Sequence, residues 1–136
     1  AHAVQAGAQI LVAPGRDAPV VRFAHAPALP VFPGITTPSE AQNAWNLGLR
    51  ALKFFPASLA GGPAMLKAIG SVFKDVKFMP TGGVSAANLG DYLALPNVLA
   101  CGGSWLTPKA AIAEDNYQII TGLAAEAVAI AVKTRS

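Results

Sequence analysis

Short apolar runs alternate with longer segments of helical period along this chain. The runs are Gln9-Ile10-Leu11-Val12-Ala13, Leu29-Pro30-Val31-Phe32-Pro33-Gly34, Arg50-Ala51-Leu52-Lys53-Phe54-Phe55-Pro56-Ala57, Val76-Lys77-Phe78-Met79-Pro80 and Asn97-Val98-Leu99-Ala100-Cys101. Each is too short for a helix and is closed by proline or glycine, so each reads as a strand. None shows clean polar alternation, the pattern of strands covered on both faces.

The segments between them carry helix punctuation. Ala1 to Gly7 reads as the last turns of a helix with Gly7 as a left-handed stop. No Met, cap or earlier element precedes it, so a missing N-terminal portion is expected, the alternative being a short lead-in helix after Met removal. Asp17 reads as the cap of a short helix through Phe23 and His25, and His25 as a helix-end residue rather than a catalyst. Thr37-Pro38-Ser39-Glu40 is a capping box with proline at the first helical position, opening a helix that stops near Gly48. Trp45 on that helix is expected to pack in the core. Gly61-Gly62-Pro63 opens a helix carrying Met65, Leu66 and Ile69 that Gly70 is expected to end. Ser85 caps a helix with Leu89, Tyr92 and Leu93 on its face, and Thr107-Pro108 supplies cap and first-turn proline for another. A long final helix carries Tyr117, Ile120, Ala124, Ala127, Val128 and Ala131, and Lys133 to Ser136 reads as a solvated tail. Strand and helix thus alternate about five times at roughly 20-residue spacing, the signature of βα units on a parallel sheet. No linker or charge block divides residues 1–136, which read as one domain.

Composition agrees with a packed globular chain: 136 residues, 53% hydrophobic and 12% charged. The net charge of +3 comes from scattered Lys and Arg, without the basic stripe that nucleic-acid binding needs. A single cysteine, Cys101, excludes an internal disulfide and fits a reducing cytosol. No apolar run is long enough to span a bilayer, and no leader opens the chain.

Lys53 stands out because its strand is otherwise apolar. Side chains alternate along a strand, so Ala51, Lys53 and Phe55 share one face, and Leu52 and Phe54 the other. If both faces are covered, Lys53 points into the interior, where desolvation favours the neutral amine that attacks a ketone to form a Schiff base. Many strand lysines instead snorkel to the surface.

Ligands of α/β sheets bind beyond the carboxyl ends of the strands. Gly82-Gly83 follows the fourth strand, and Gly102-Gly103-Ser104 follows the fifth. Glycine lets backbone N–H groups approach an anion, and the Ser104 hydroxyl adds a hydrogen bond. Thr81, at its strand end, offers a hydroxyl to a ligand or to the local turn. Phe55 walls the Lys53 face or belongs to the core. A Schiff-base aldolase also needs a proton shuttle. None of the seven acids (Asp17, Glu40, Asp75, Asp91, Glu114, Asp115 and Glu126) is convincing in that role. Cys101 has no His or Asp partner at a recognisable spacing, and no metal cluster is visible.

Four motifs together resemble the 2-keto-3-deoxy-6-phosphogluconate aldolase family, also named 4-hydroxy-2-oxoglutarate aldolase. They are Lys53-Phe54-Phe55-Pro56-Ala57, Pro80-Thr81-Gly82-Gly83-Val84-Ser85, Asp91-Tyr92-Leu93-Ala94-Leu95 and Gly102-Gly103-Ser104-Trp105-Leu106. The resemblance extends to Ala6-Gly7-Ala8-Gln9 and Pro30-Val31-Phe32-Pro33-Gly34-Ile35, and so covers essentially the whole chain. The Gly-Gly-Ser-Trp-Leu ending resembles the gluconate branch more than the galactonate one. The resemblance implies a (β/α)8 TIM barrel, here an incomplete one of about five βα units. It implies a cytoplasmic homotrimer that acts on a phosphorylated keto acid, without cofactor, nucleic acid or membrane. The implied reaction is class I cleavage of 2-dehydro-3-deoxy-6-phosphogluconate to pyruvate and glyceraldehyde 3-phosphate, as in the Entner–Doudoroff pathway. Cleavage of 4-hydroxy-2-oxoglutarate to pyruvate and glyoxylate is implied as well. Lys53 would form the Schiff base, Phe55 and Thr81 would line the pyruvate pocket, and Gly82, Gly83, Gly103 and Ser104 would hold phosphate. The family also has a catalytic glutamate, a carboxylate-binding arginine and a threonine on strands before the position of Gln9, and these have no counterpart here.

Two readings contend. One is an aldolase piece carrying nucleophile and phosphate site, impaired alone. The other is a non-catalytic phosphate-binding or oligomer-forming module, whose open sheet edge would drive association. The architectural alternative is a complete five-stranded doubly wound fold, which strand order separates from a barrel segment.

Overall fold

The computed structural model describes residues 2–15, 17–25 and 29–136, with the side chains of residues 22–25 (and so the expectation for His25) outside the described set. The strands are β1 (Leu11–Val12), β2 (Val31–Phe32), β3 (Gly34–Ile35), β4 (Ala51–Phe54) and β5 (Lys77–Pro80). All pairings are parallel. Leu11 lies opposite Val31, Gly34 opposite Lys53, and Lys53 opposite Met79. Pro33 separates β2 from β3 because it has no N–H for the ladder, yet its carbonyl accepts the Lys53 N–H at 2.9 Å. The strands thus form two sheets, β1-β2 and β3-β4-β5, and within each the parallel neighbours follow chain order with no reversal.

The expected fifth strand survives only as two bridges, Phe78 to Val98 and Thr81 to Gly102. The cause is Pro80. Phe78 exchanges bonds with Asn97 and Leu99 in the ordinary parallel way, but Pro80 has no N–H to donate next. Its carbonyl instead accepts from Gly102 at 3.1 Å, leaving one extra residue in the neighbouring segment, a bulge.

The helices are α1 (His2–Gln5), α2 (Ala18–His25), α3 (Pro38–Asn46), α4 (Gly62–Val72), α5 (Ala86–Leu93), α6 (Lys109–Ala113) and α7 (Tyr117–Arg135). As expected, Gly7 has a left-handed φ of 84° after α1. The Thr37 capping box is complete: its hydroxyl accepts from Glu40 N at 3.3 Å, and a Glu40 carboxylate oxygen accepts from Thr37 N at 2.8 Å. Ser85 and Asn88 form the equivalent box at α5.

Three expectations fail for local reasons. Gly70 lies inside α4, where a Cβ would collide with the Asn97 side-chain amide, itself bonded to the Leu66 carbonyl at 3.0 Å. Thr107 is not the cap of α6; Pro108 holds that position without a side-chain bond. Trp45 is 38% exposed rather than core. Its indole donates to Asp75 at 3.1 Å while the Arg50 guanidinium stacks 4.6 Å from its ring and pairs with Asp75 at 2.7 Å. The C-terminal tail is largely exposed, as expected; it is helical to Arg135, which donates to the carbonyls of Val98 at 2.7 Å and Leu99 at 3.0 Å.

One face of the sheet meets the helices. Leu52, Phe54 and Phe78 are fully buried there, against Ile35, Leu66, Ile69 and Tyr92. Each such side chain contributes about 1.5–3 kcal/mol. Ala51, Lys53, Lys77 and Met79 alternate onto the other face and are only half-buried. The expectation of two covered faces is therefore corrected. Among the described residues the sheet is packed on one side, and Lys53 is half-open rather than enclosed. No helix among the described residues is long and apolar enough to cross a membrane.

Two outcomes follow. A Cβ on Gly34 would strike the Pro14 carbonyl in the β1–α2 turn. Gly34→Ala is expected to lower stability by about 1–3 kcal/mol in urea titration, whereas Gly15→Ala, which meets open space, leaves it nearly unchanged. Burial pushes the Cys101 thiol from 9.0 up to about 11, opposed in part by the Arg135 guanidinium. The thiol is harder to ionise folded than unfolded. Its contribution to stability is therefore complete below pH 9.0 and is lost as pH rises through about 11. Iodoacetamide labelling at pH 8 is expected to run about 100-fold slower in the folded chain than in urea.

Candidate active site at the carboxyl ends of β4 and β5

Lys53 is the third residue of β4, flanked by Gly34 on β3 and Met79 on β5. Its ammonium nitrogen lies 4.8 Å from the centre of the Phe55 ring, a cation–π contact along one strand face. Phe55 is tied in place through its backbone. Its N–H donates to Ile35 at 3.1 Å, and its carbonyl accepts from the Thr36 hydroxyl at 2.7 Å. The Phe55 ring also lies where a Cβ on Gly82 would come within 3.1 Å. Lys53, Phe55 and the glycine turn are thus brought together.

Thr81 follows β5 directly, on the same face as Lys53 and Phe55. Its N–H donates to Phe54 at 3.0 Å, and its methyl group would come within 2.9 Å of a Cβ on Gly102. Its hydroxyl is buried and has no partner among the described residues, so it does not make the local turn bond. Leaving a buried hydroxyl unsatisfied costs about 1–3 kcal/mol.

The Gly82-Gly83 turn is held by the segment after β4. The carbonyls of Thr81 and Gly82 accept from the N–H groups of Ala57 at 2.8 Å and Ser58 at 3.0 Å. The Gly83 carbonyl accepts from the Ser58 hydroxyl at 2.8 Å and the Asn88 amide at 3.0 Å. In an extended chain successive carbonyls point to opposite sides. Here positive φ at Gly82 (90°) and Gly83 (77°) lets three in a row face one segment. In a trans peptide the N–H points opposite its carbonyl. The N–H groups of Gly82, Gly83 and Val84 are thereby turned away from Ala57 and Ser58, and they donate to nothing among the described residues.

Gly103 lies against this turn. A Cβ there would fall 3.0 Å from the Val84 carbonyl and would collide with the Trp105 ring. Ser104 begins a 3-10 turn through Leu106 and is exposed, and its N–H, like that of Gly103, has no acceptor among the described residues. All seven residues singled out from the sequence therefore lie at the carboxyl ends of β4 and β5 and in the segment bridged to β5. Ser58, Val84 and Asn88 were missed. Asn88 had a signal, as the third residue of a box opened by Ser85, whereas Ser58 meets Gly83 across 25 residues of sequence.

The acids contribute little. A Glu40 carboxylate oxygen accepts from Thr36 N, Thr37 N and the Thr37 hydroxyl, all within 3.0 Å. Asp75 is held by Arg50 and Trp45, and Asp115 accepts from the Tyr117 hydroxyl at 2.9 Å. Among the described residues no group of three or more His, Cys, Asp or Glu is arranged to hold a metal ion.

Residues 1–123 match the family model described as KDPG and KHG aldolase. The KHG/KDPG aldolase of Escherichia coli K12 is 47% identical over 128 residues, 94% of this chain and 60% of the relative. A KDPG aldolase of Legionella pneumophila, solved with pyruvate captured as a covalent carbinolamine, superposes with a TM-score of 0.85 at 43% identity. The match covers 88% of this chain and 58% of that one. The aldolase of Zymomonas mobilis solved with 3-phosphoglycerate gives 0.84 at 38% identity over 92% and 58%. The chain thus spans about three fifths of the length of these relatives, and its fold is of their TIM-barrel type. By the extent of the match and its identity, the chain belongs to the KDPG and KHG aldolase family.

Proposed function

We propose that the chain carries the nucleophile and phosphate subsite of a class I aldolase. In this reading its βα units form one domain, an incomplete barrel of about five units. The substrate is 2-dehydro-3-deoxy-6-phosphogluconate, released as pyruvate and glyceraldehyde 3-phosphate, or 4-hydroxy-2-oxoglutarate, released as pyruvate and glyoxylate. The observation that carries it is one juxtaposition. Lys53 and the buried, unpartnered Thr81 hydroxyl share a half-open face beside backbone N–H groups that have no acceptor.

The chemistry proceeds from those groups. The Lys53 amine adds to the C2 carbonyl of the substrate, giving a carbinolamine that loses water to an iminium. Cleavage of the C3–C4 bond sends its electron pair toward the iminium nitrogen, forming an enamine, while the C4 hydroxyl gives up its proton and leaves as the aldehyde. Protonation of the enamine at C3 and hydrolysis release pyruvate and restore the amine. Thr81 bonds the pyruvoyl portion and Phe55 walls it. The N–H groups of Gly82, Gly83 and Gly103, with the Ser104 hydroxyl, receive the phosphate at the far end. The proton from the C4 hydroxyl needs an acceptor, and Glu40 and Asp75 are engaged elsewhere. The sequential strand order favours a barrel segment over a doubly wound sheet. Ile10 just before β1 and Val12 on it, both about half-exposed, offer apolar area that association as a homotrimer of the intact protein would help to cover. The aldolase names of the relatives favour this reading over a non-catalytic module.

Incubation with pyruvate and cyanoborohydride is expected to place a reduced adduct on Lys53, located by peptide mass, and Lys53→Ala is expected to abolish it. An adduct on another lysine, or none in a folded chain, overturns the assignment. Turnover by the chain alone, followed by pyruvate release, is expected to fall about 10²–10⁴-fold below that of a relative holding its general base.

A further inference from the structure

We propose that Ser58 and Asn88 are positioning residues for the anion subsite, acting through the Gly83 carbonyl. The inference rests on the phosphate reading above and adds what holds that subsite in shape. Two side-chain donors converge on this one oxygen, the Ser58 hydroxyl at 2.8 Å and the Asn88 amide at 3.0 Å. The next carbonyl back, Gly82, is held by the Ser58 N–H at 3.0 Å. Ser58 therefore grips two consecutive peptide planes, one with its backbone and one with its side chain.

That grip decides where the N–H groups point. As glycines, Gly82 and Gly83 have wide rotational freedom, and nothing in their own chemistry selects one orientation. With both carbonyls drawn toward Ser58, the N–H groups of Gly83 and Val84 turn the opposite way and form a pair of donors prepared for an anion. A donor array that is already oriented binds without first ordering its loop. The space is exact: a Cβ on Gly83 would collide with the Ser58 hydroxyl and displace the clamp. Asn88 links the clamp to α5, because its side-chain oxygen accepts from Ser85 N at 2.9 Å while its amide reaches Gly83. One side chain thus caps the helix and aims the turn before it.

The test uses isotope-labelled chain titrated with inorganic phosphate, following the amide signals of Gly83 and Val84, with pyruvate trapping on Lys53 measured in parallel. Wild-type chain is expected to show saturable shifts at both amides. Ser58→Ala and Asn88→Ala are each expected to weaken phosphate binding about fivefold, the loss of one neutral hydrogen bond, while Lys53 is trapped as before. Ser58→Thr, which keeps the hydroxyl, is expected to restore binding. Phosphate affinity unchanged in both alanine variants overturns the positioning role. Loss of phosphate binding together with Lys53 trapping also overturns it, since the residues would then serve the fold as a whole. No shift at these amides in wild-type chain overturns the phosphate reading itself, a separate failure seen before any variant is made.

Discussion

Everything at the candidate site depends on the parallel pairing of β4 with β5 and its extension beyond the strands. The ladder sets Lys53 beside Met79 and Phe54 beside Pro80. It then continues as irregular backbone, with Ala57 and Ser58 donating to Thr81 and Gly82. Two loops that would otherwise move independently are thereby joined residue by residue. A slip of one residue would move Lys53 to the packed face. Leu52 and Phe54 resist that slip, because each is fully buried and would be carried to the half-open side.

The half-open face gives the site its chemical character. Lys53 shares it with Phe55, whose ring offers an electron-rich face to the ammonium. Thr81 presents a buried hydroxyl without a hydrogen-bond partner among the described residues. Such groups cost stability in the free protein and are released from that cost when a ligand bonds them. The same logic covers the N–H groups of Gly83 and Val84. In the proposed reading, the Lys53 amine, this hydroxyl and these N–H groups along neighbouring strand ends would face a molecule with a ketone at one end and a phosphate at the other.

At the opposite end of the sheet, side chains tie neighbouring elements together. Arg50, at the entry to β4, stacks on Trp45 and pairs with Asp75, tying α3 to the segment before β5. This exposed network explains why Trp45 is not needed in the core and why Asp75 is unavailable for catalysis. At the C-terminus, Arg135 reaches the Val98 and Leu99 carbonyls, which the irregular strand after α5 leaves free. Helix capping supplies the remaining local order, with Thr37 and Ser85 each starting a helix just past a strand end.

The sequence by itself determined the alternation of strands and helices, the two faces of β4, the Thr37 capping box, the Ser85 cap and the glycine turns, because each follows from short-range rules of periodicity, cap chemistry and backbone freedom. It also carried the motifs that mark Lys53, Phe55, Thr81 and the phosphate-loop candidates. Tertiary structure alone decided what depends on distant partners. The proline at position 80 turned a fifth strand into a bulged pair of bridges, since only the neighbouring segment feels its missing N–H. Gly70 serves Asn97 rather than ending its helix, and Trp45 serves Arg50 and Asp75 rather than the core. Ser58 reaches the Gly83 carbonyl from the segment after β4, 25 residues away in the chain. Hydrogen bonds of that kind are set by packing across tens of residues, which no local pattern in the chain encodes.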